Sequence, residues 1–349
     1  NGVGVSVPLD KLLPANEVEN LLMRGEAKAY VFSPKFYADA LDIASRNKDI
    51  EYFICMMPSE IGEEMTSDPR FIDMNTLLEN GRRSLADGDR SFLDAKIDTK
   101  AMSALLFTSG TTSMSKGVML SQENICSNIY SVSGVIRIDA GSRTLSVLPL
   151  HHTFENSVGM YMMQYYGATI CFTDGLRYIS KNLAEWKINN ILAVPLLFEN
   201  VYHKVNEALV TKGKKNLVDK MVKVSRASMK IGIDIRRKLF KQILAGFGGE
   251  LKLAVSGAAA IDPKIAQAFT DWGVEFYQGY GLTETSPVLS ACNSFVNVIG
   301  SIGNPVSEVE LAIDTDETKP GAIGEILARG PNVMLGYYKN EQSTAEVMT

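Results

Sequence analysis

Leu251-Lys252-Leu253-Ala254-Val255, then Asp262-Pro263, then Gly273, then Val274-Glu275-Phe276-Tyr277 is the stretch whose order decides the fold. The first run is short and apolar, as a strand buried on both faces is. Asp262 offers an N-cap oxygen, and Pro263 suits the first helical position, where no backbone N–H is needed. Gly273 allows the left-handed residue that stops a helix, and the second apolar run begins the next strand. Strand, capped helix and strand at this spacing predict parallel strands joined by a crossover helix.

The same pattern extends outward in both directions. Ala29-Tyr30-Val31-Phe32 and Tyr52-Phe53-Ile54-Cys55 flank an amphipathic segment from Phe36 to Ala44, a second β-α-β unit. Ala104-Leu105-Leu106-Phe107, Leu145–Leu148, Ala168–Phe172 and Ile191–Val194 read as further buried strands, and Ser121 caps a helix that starts at Gln122. Gly2–Pro8 also reads as strand, whereas 58–99 is polar and punctuated by Pro58, Pro69, Gly81 and Gly88, as a loop is. From Val298 the texture changes. Val309–Ile313 and Gly324–Ala328 alternate polar and apolar with turn residues between, as antiparallel strands do. The expected fold class is α/β: two layered α/β subdomains, each with a mostly parallel sheet (1–142 and 143–290), and a small antiparallel β subdomain at 291–349.

Composition narrows the function classes. The net charge of -5 predicts no general affinity for nucleic acid or anionic membrane. The 4 cysteines (Cys55, Cys126, Cys171 and Cys292) are far apart and form no C-x-x-C, so neither a zinc knuckle nor a redox pair is indicated. No run approaches the roughly 20 apolar residues of a spanning helix, and a cytoplasmic location is expected. Asn1 opens the chain and Ser343–Val347 reads as helix running to its end, so the sequence is expected to be cut from a longer protein. One segment is strongly basic: Lys204, Lys212, Lys214, Lys215, Lys220, Lys223, Arg226, Lys230, Arg236, Arg237, Lys238 and Lys241 face only Glu207, Asp219 and Asp234. It is either a solvated helical hairpin or a patch for anionic lipid, giving peripheral membrane contact, or for the phosphates of coenzyme A.

Thr108-Ser109-Gly110-Thr111-Thr112-Ser113-Met114-Ser115-Lys116-Gly117 lies between a strand and a capped helix. Glycines let the backbone approach a ligand, hydroxyls donate hydrogen bonds, and Lys116 supplies a mobile charge; together they suit a polyphosphate. The spacing does not fit a Walker A loop. On composition alone, a flexible linker stays open as the alternative.

This loop resembles the signature T-S-G-T-T-G-x-P-K-G of the adenylate-forming superfamily, with Ser113 in place of a glycine and Ser115 in place of a proline. Further segments resemble the family in order. They are Val7-Pro8-Leu9-Asp10 with Leu13-Pro14; Leu148-Pro149-Leu150-His151-His152-Thr153-Phe154-Glu155; Ser256-Gly257-Ala258-Ala259; Tyr277-Gln278-Gly279-Tyr280-Gly281-Leu282-Thr283-Glu284-Thr285; and Gly324-Glu325-Ile326 with Gly336-Tyr337-Tyr338. The resemblance spans nearly the whole chain and is strongest to the acyl-CoA synthetase branch, in particular to long-chain fatty-acid–CoA ligases.

It implies ATP-dependent activation of a carboxylic acid to an acyl-adenylate, then transfer of the acyl group to coenzyme A, with ATP, Mg2+ and coenzyme A as the small molecules used. Carried over by position, Thr108, Ser109, Gly110, Thr111, Thr112 and Lys116 would hold the β- and γ-phosphates. Thr283 would meet the α-phosphate and Glu284 the metal ion. Tyr280 and Gly281 would lie at adenine, and Gly257, Ala258 and Ala259 would bring backbone close to the base and the acyl group. His152 would stand between the acyl pocket and the coenzyme A entrance, with Glu155 orienting it. The substrate carboxylate, with a pKa of about 4–5, is already ionised at neutral pH, so the chemistry needs positioning and charge neutralisation rather than a general base.

Amino-acid-activating members of the resembled family place an aspartate near 148–155 to hold the substrate ammonium; His151-His152-Thr153-Phe154 there instead implies, by that resemblance, an acyl-type acid without such a group, medium- or long-chain, with aryl acids as the alternative. The T-G-D segment that binds ribose in the family, and its C-terminal domain, do not occur in these 349 residues. The fragment alone is therefore expected to bind nucleotide without efficient turnover. Two other classes stay open: a nucleotide-binding module without turnover, and a serine hydrolase using Ser109 or Ser256.

Overall fold

The computed structural model describes residues 3–61, 64–108, 115–317 and 319–349. The chain divides into two compact units, residues 1–119 with 337–349, and residues 120–336.

In the first unit, α1 (Ala15–Arg24), β1 (Ala29–Phe32), α2 (Tyr37–Arg46), β2 (Tyr52–Cys55) and β3 (Phe71–Asp73) build a parallel sheet in the order β1-β2-β3. The core forms where α2 lays Tyr37, Ala40, Ile43 and Ala44 on Phe32, Phe53 and Phe71. Phe53 and Phe71 stack with ring centroids 4.9 Å apart. Such rings contribute about 1.5–3 kcal/mol each when fully buried. The stretch 58–99, expected to be irregular, holds β3 and α3 (Met74–Ala86), which Asp73 caps through Asn75. No residue of α3 is buried; Met74, Leu77, Leu78 and Leu85 stand at helical spacing, but Gly81 inside the run and the prolines before it read as loop. The Gly2–Pro8 reading shrinks to one bridge between Ser6 and Ala104. β4 (Met102–Thr108) and β5 (Lys116–Ser121) are neighbours in a further sheet that the strand Gly336–Tyr337 completes.

The second unit opens with α4 (Gln122–Ser133), entered through a reciprocal capping box between Ser121 and Asn124. Next come β6 (Arg143–Ser146), a π-helical stretch Phe154–Tyr161 running into α5 (Met162–Tyr165), β7 (Thr169–Phe172), α6 (Ile179–Glu185) and β8 (Asn190–Ala193). The helices α7 (Pro195–Thr211), α8 (Lys215–Lys230), α9 (Arg236–Leu239) and α10 (Lys241–Ala245) lead to β9 (Leu253–Ser256). The deciding stretch folds as read: Asp262 caps α11 (Pro263–Asp271) through Lys264, Gly273 turns at φ 89°, and β10 (Glu275–Gly281) pairs parallel with β9. β11 (Val288–Ala291) and β12 (Asn304–Pro305) close one edge antiparallel, giving the order β12-β11-β10-β9-β8-β6-β7.

Alternate side chains explain why the strands are apolar throughout. Ile191, Ala193, Ala254 and Phe276 face one core with Phe198, Phe269 and Trp272, while Leu192, Leu253, Val255 and Tyr277 face the other with Met162 and Met163. Covering both faces is what makes a parallel sheet stable. β13 (Glu310–Asp314) and β14 (Glu325–Arg329) form the separate antiparallel pair that the alternation near the end predicted.

Candidate functional site

β6, β8, β9 and β10 are parallel and adjacent, so their carboxyl ends lie along one sheet edge. Open α/β sheets bind ligands at that edge, where the loops leave the strands. In the second unit these loops carry His152 after β6, Gly257, Ala258 and Ala259 after β9, and Tyr280, Gly281, Thr283 and Glu284 at the end of β10.

Ser256 ends β9, paired with Ala193 of β8 and Gln278 of β10. The next amide, Gly257 N, donates to Ala193 O at 3.2 Å, and Ala258 adopts a left-handed φ of 69°. A Cβ on Gly257 would stand 3.0 Å from the Phe154 ring, so any larger residue there would press the ring a few tenths of an ångström away from the turn. Ser256 itself is 0% exposed with an unpartnered hydroxyl, which no substrate carbonyl can reach. Its candidacy as a hydrolase nucleophile fails on that burial.

The β10 end is fixed by polar groups around it. Gly281 sits at a register shift against β11, and a Cβ there would overlap Pro287 O. Thr283–Thr285 form a single 3-10 turn. The Thr285 hydroxyl donates to Pro287 O at 2.7 Å, while Leu282 N donates to Thr285 Oγ1 at 3.1 Å. Buried Asn332 donates to Thr285 O at 2.8 Å, Ser286 Oγ donates to Asn332 O at 2.9 Å, and Met334 N donates to Glu284 O at 2.8 Å. Asn128 brackets Val288 from α4, donating to its carbonyl at 2.7 Å and accepting from its amide. Thr283 and Glu284 therefore project half-buried side chains from a backbone that cannot drift. Tyr280 packs partly buried on the second core, its ring held between core and surface.

His152 is exposed, its ring 4.1 Å from that of His151. Glu155 does not orient it. The π-helical path turns the Glu155 carboxyl inward, 1% exposed, over Gly159, where any Cβ would come 2.7 Å from the carboxyl carbon. π-helical turns recur at functional sites. Burial pushes the Glu155 pKa up to about 7; the Ser146 hydroxyl and the Leu148 backbone draw it back in part, without reaching full hydrogen-bond geometry.

The first unit carries the remaining expected residues. Ser109, Gly110, Thr111 and Thr112, with the substituted Ser113, lie outside the described residues. Thr108 ends β4 and Lys116 begins β5, and the Thr108 hydroxyl donates to Lys116 O at 3.4 Å, closing the mouth of the loop. Lys116 Nζ lies 4.9 Å from the centre of the Tyr337 ring. Ser115, where the family pattern has proline, is gripped by Arg24: the guanidinium donates to Ser115 Oγ at 3.2 Å and to its carbonyl, and rests 5.2 Å over Phe107. A side-chain clamp thus holds the position that a proline ring would stiffen. Arg24 lies 91 residues away in sequence, and nothing local in the sequence marked it.

Among the described residues no group of three His, Cys, Asp or Glu could hold a metal by itself. A Mg2+ ion at Glu284 fits as one carboxylate plus phosphate oxygens, which is how that ion is bound with nucleotides.

Comparison with known proteins decides the family. The model of the AMP-binding enzymes matches residues 3–338. The chain belongs to the AMP-binding enzyme family. Within it, the chain is 31% identical over 309 residues to a chloroplastic long-chain-fatty-acid–[acyl-carrier-protein] ligase of Arabidopsis thaliana, covering 76% of this chain and 42% of that protein. It is 27% identical to the peroxisomal long chain acyl-CoA synthetase 6 of the same plant, covering 99% and 51%. The chain thus spans about half the length of these AMP-binding relatives. Its fold matches the crystal structure of the anthranilate CoA ligase AuaEII in complex with anthranoyl-AMP, with a TM-score of 0.72 at 18% identity over 98% of this chain and 57% of that one. No helix among the described residues is long and apolar enough to cross a membrane.

Proposed function

We propose that this AMP-binding protein activates a medium- or long-chain fatty acid with ATP and passes the acyl group to coenzyme A. The observation that carries this reading is the shared sheet edge on which the loops of His152, Gly257 and Thr283–Glu284 meet. A donor turn beside a glycine-lined wall suits a phosphate next to an acyl group. The relatives named for long-chain acids support the substrate class.

The substrate carboxylate oxygen attacks the α-phosphorus of ATP, forming the acyl–phosphate bond as the bond to pyrophosphate breaks. The coenzyme A sulfur then attacks the acyl carbon, and AMP leaves. The Thr283 hydroxyl donates to an α-phosphate oxygen. Lys116, with Thr108, Ser109, Gly110, Thr111 and Thr112, holds the β- and γ-phosphates, and Lys116 neutralises charge that builds on the leaving group. Tyr280 and Gly281 receive adenine, with Gly257, Ala258 and Ala259 between base and acyl group. His152, exposed, stands where the thiol arrives. When bound, Mg2+ at Glu284 neutralises phosphate charge. The organisation into 1–142, 143–290 and 291–349 and a cytoplasmic location belong to this reading; so does contact with a membrane surface, because a long-chain acid resides in bilayers.

The test is thiol-dependent AMP release by the complete protein across fatty, aryl and amino acids, with coenzyme A or acyl-carrier protein as acceptor. Release with fatty acids and coenzyme A supports the reading. Release only with aryl acids, or only with carrier protein, replaces its substrate or its acceptor. Nucleotide binding without release under any condition leaves a binding module.

A further inference from the structure

A cavity on the helical side of the second unit has no part in the ligase reading. Its lining residues come from α7, α8 and α11, with Trp272 one residue past α11, and no residue of the strand-end loops is among them. The cavity holds about 270 Å³. Liquid water takes roughly 30 Å³ per molecule, so this is room for about nine or ten non-hydrogen atoms. A long alkyl chain does not fit. Leu209, Val218, Val222 and Ala268 give the cavity an aliphatic wall, and the rings of Tyr202 and Trp272 stack beside it with centroids 6.1 Å apart.

The lining also carries three cations, Lys215, Arg226 and Lys264, against two carboxylates. Both carboxylates are matched. Buried Asp271 accepts from Arg226 at 2.9 and 2.7 Å and from Gln267 at 3.1 Å. Asp219 pairs with Lys215 at 3.3 Å, and the same ammonium donates to Asn206 Oδ1 at 2.9 Å. The charge left over is positive, and it sits on Lys264, whose ammonium makes no hydrogen bond or ion pair among the described residues. A second donor is also idle. Trp272 is 3% exposed, yet its indole N–H has no partner among the described residues and is not sealed into the core. A buried indole ordinarily finds an acceptor.

Lys264 and Trp272 stand about two helical turns apart along α11, with Ala268 midway on the same face, so they address opposite ends of one occupant. A cation would meet the surplus positive charge. An inorganic anion would satisfy Lys264 and leave the aliphatic wall wet. A compact acid with an apolar body and a second oxygen at its far end answers every group. We propose that the cavity between α7, α8 and α11 binds a small hydroxy- or oxo-carboxylic acid, its carboxylate on Lys264, its body against Val218 and Ala268, and its far oxygen on the Trp272 N–H. The site is separate from the strand ends and does not rest on the ligase reading.

The test is equilibrium dialysis of radiolabelled para-hydroxybenzoate against the complete protein, without ATP, with unlabelled competitors. Saturable binding is expected. Para-hydroxybenzyl alcohol, which lacks the charge, and inorganic phosphate should not compete, and benzoate, which lacks the far oxygen, should compete several-fold more weakly. Affinity should fall at least about tenfold in Lys264→Glu, as loss of a charged hydrogen-bond partner does, and equally in Ala268→Phe, which fills the cavity. Lys264 is exposed, so that variant should melt like wild type. No saturable binding, competition by the alcohol as strong as by the acid, or wild-type affinity in Lys264→Glu overturns the proposal. Binding that survives both variants belongs to another site, the strand ends included, and overturns it as well. Because no turnover is read, failure here leaves the ligase reading standing, and failure of ligase activity leaves this site standing.

Discussion

The edge of the Phe154 ring lies over the α-carbon of Gly257, so close that a Cβ there would stand 3.0 and 3.1 Å from two ring carbons. Phe154 leaves the first of the site loops and Gly257 follows β9; the contact joins two segments that the sequence presents far apart. It makes the ring a wall of whatever space the Gly257–Ala259 turn borders.

Gly257→Ala must push that ring aside. Its predicted effect is a fall of about tenfold in kcat/KM for the acid, carried mainly by KM, in acid-dependent pyrophosphate exchange. Phe154→Ala in the same chain should restore most of the loss, because residues in contact couple when both are changed. Additive effects of the two substitutions would show that the ring does not press on the turn.

Glu155 makes stability depend on pH in a definite direction. Its folded pKa, about 7, lies above the ordinary carboxylate value of 4.5, so between these values the folded state holds more protons than the unfolded. Stability from this group is complete below about 4.5 and is lost as pH rises through about 7. Glu155→Gln removes the titration and should melt higher than wild type at pH 8, by an amount on the order of 1–3 kcal/mol, with the advantage shrinking toward pH 5. Melting curves at the two pH values measure it, and a parallel shift at both would contradict it.

Asn332 holds the turn that carries Thr283 and Glu284. Asn332→Ala strips donors from Thr285 O and Val288 O in a buried setting, at a cost of about 1–3 kcal/mol by chemical denaturation. Turnover should fall further than stability alone explains, with KM for ATP raised, because the freed turn no longer fixes the phosphate donors. Unchanged ATP kinetics in a folded variant would remove Asn332 from the account.

The Arg24 grip on Ser115 predicts a loop effect without a loop mutation. Arg24→Ala should raise KM for ATP several-fold and change kcat less, since it releases the residue before Lys116 without touching Lys116 itself. Steady-state kinetics at varied ATP read this directly.

Local signals carried the layered sheet. The runs around Ile191, Ala254 and Phe276 are apolar because both faces of those strands are covered, and Asp262, Pro263 and Gly273 mark their helix without any tertiary help. α3 escaped because Gly81 interrupts the apolar spacing of Met74, Leu77, Leu78 and Leu85 and read as a loop residue. The carry-over named the loops at the strand ends, but it could not see what holds them. Asn332 reaches Thr285 across 47 residues, and Arg24 reaches Ser115 across 91. The role first read for Glu155 failed for a geometric reason: the π-helical path points its carboxyl into the protein, away from exposed His152.

Acid-dependent exchange of pyrophosphate into ATP, by the complete protein and by its Lys116→Ala and Glu284→Ala variants, tests the central claim most directly. The account predicts exchange with fatty acids and a loss of at least about a hundredfold in each variant, near the roughly 3 kcal/mol that one charged transition-state partner supplies. Exchange that persists undiminished in both folded variants would contradict it.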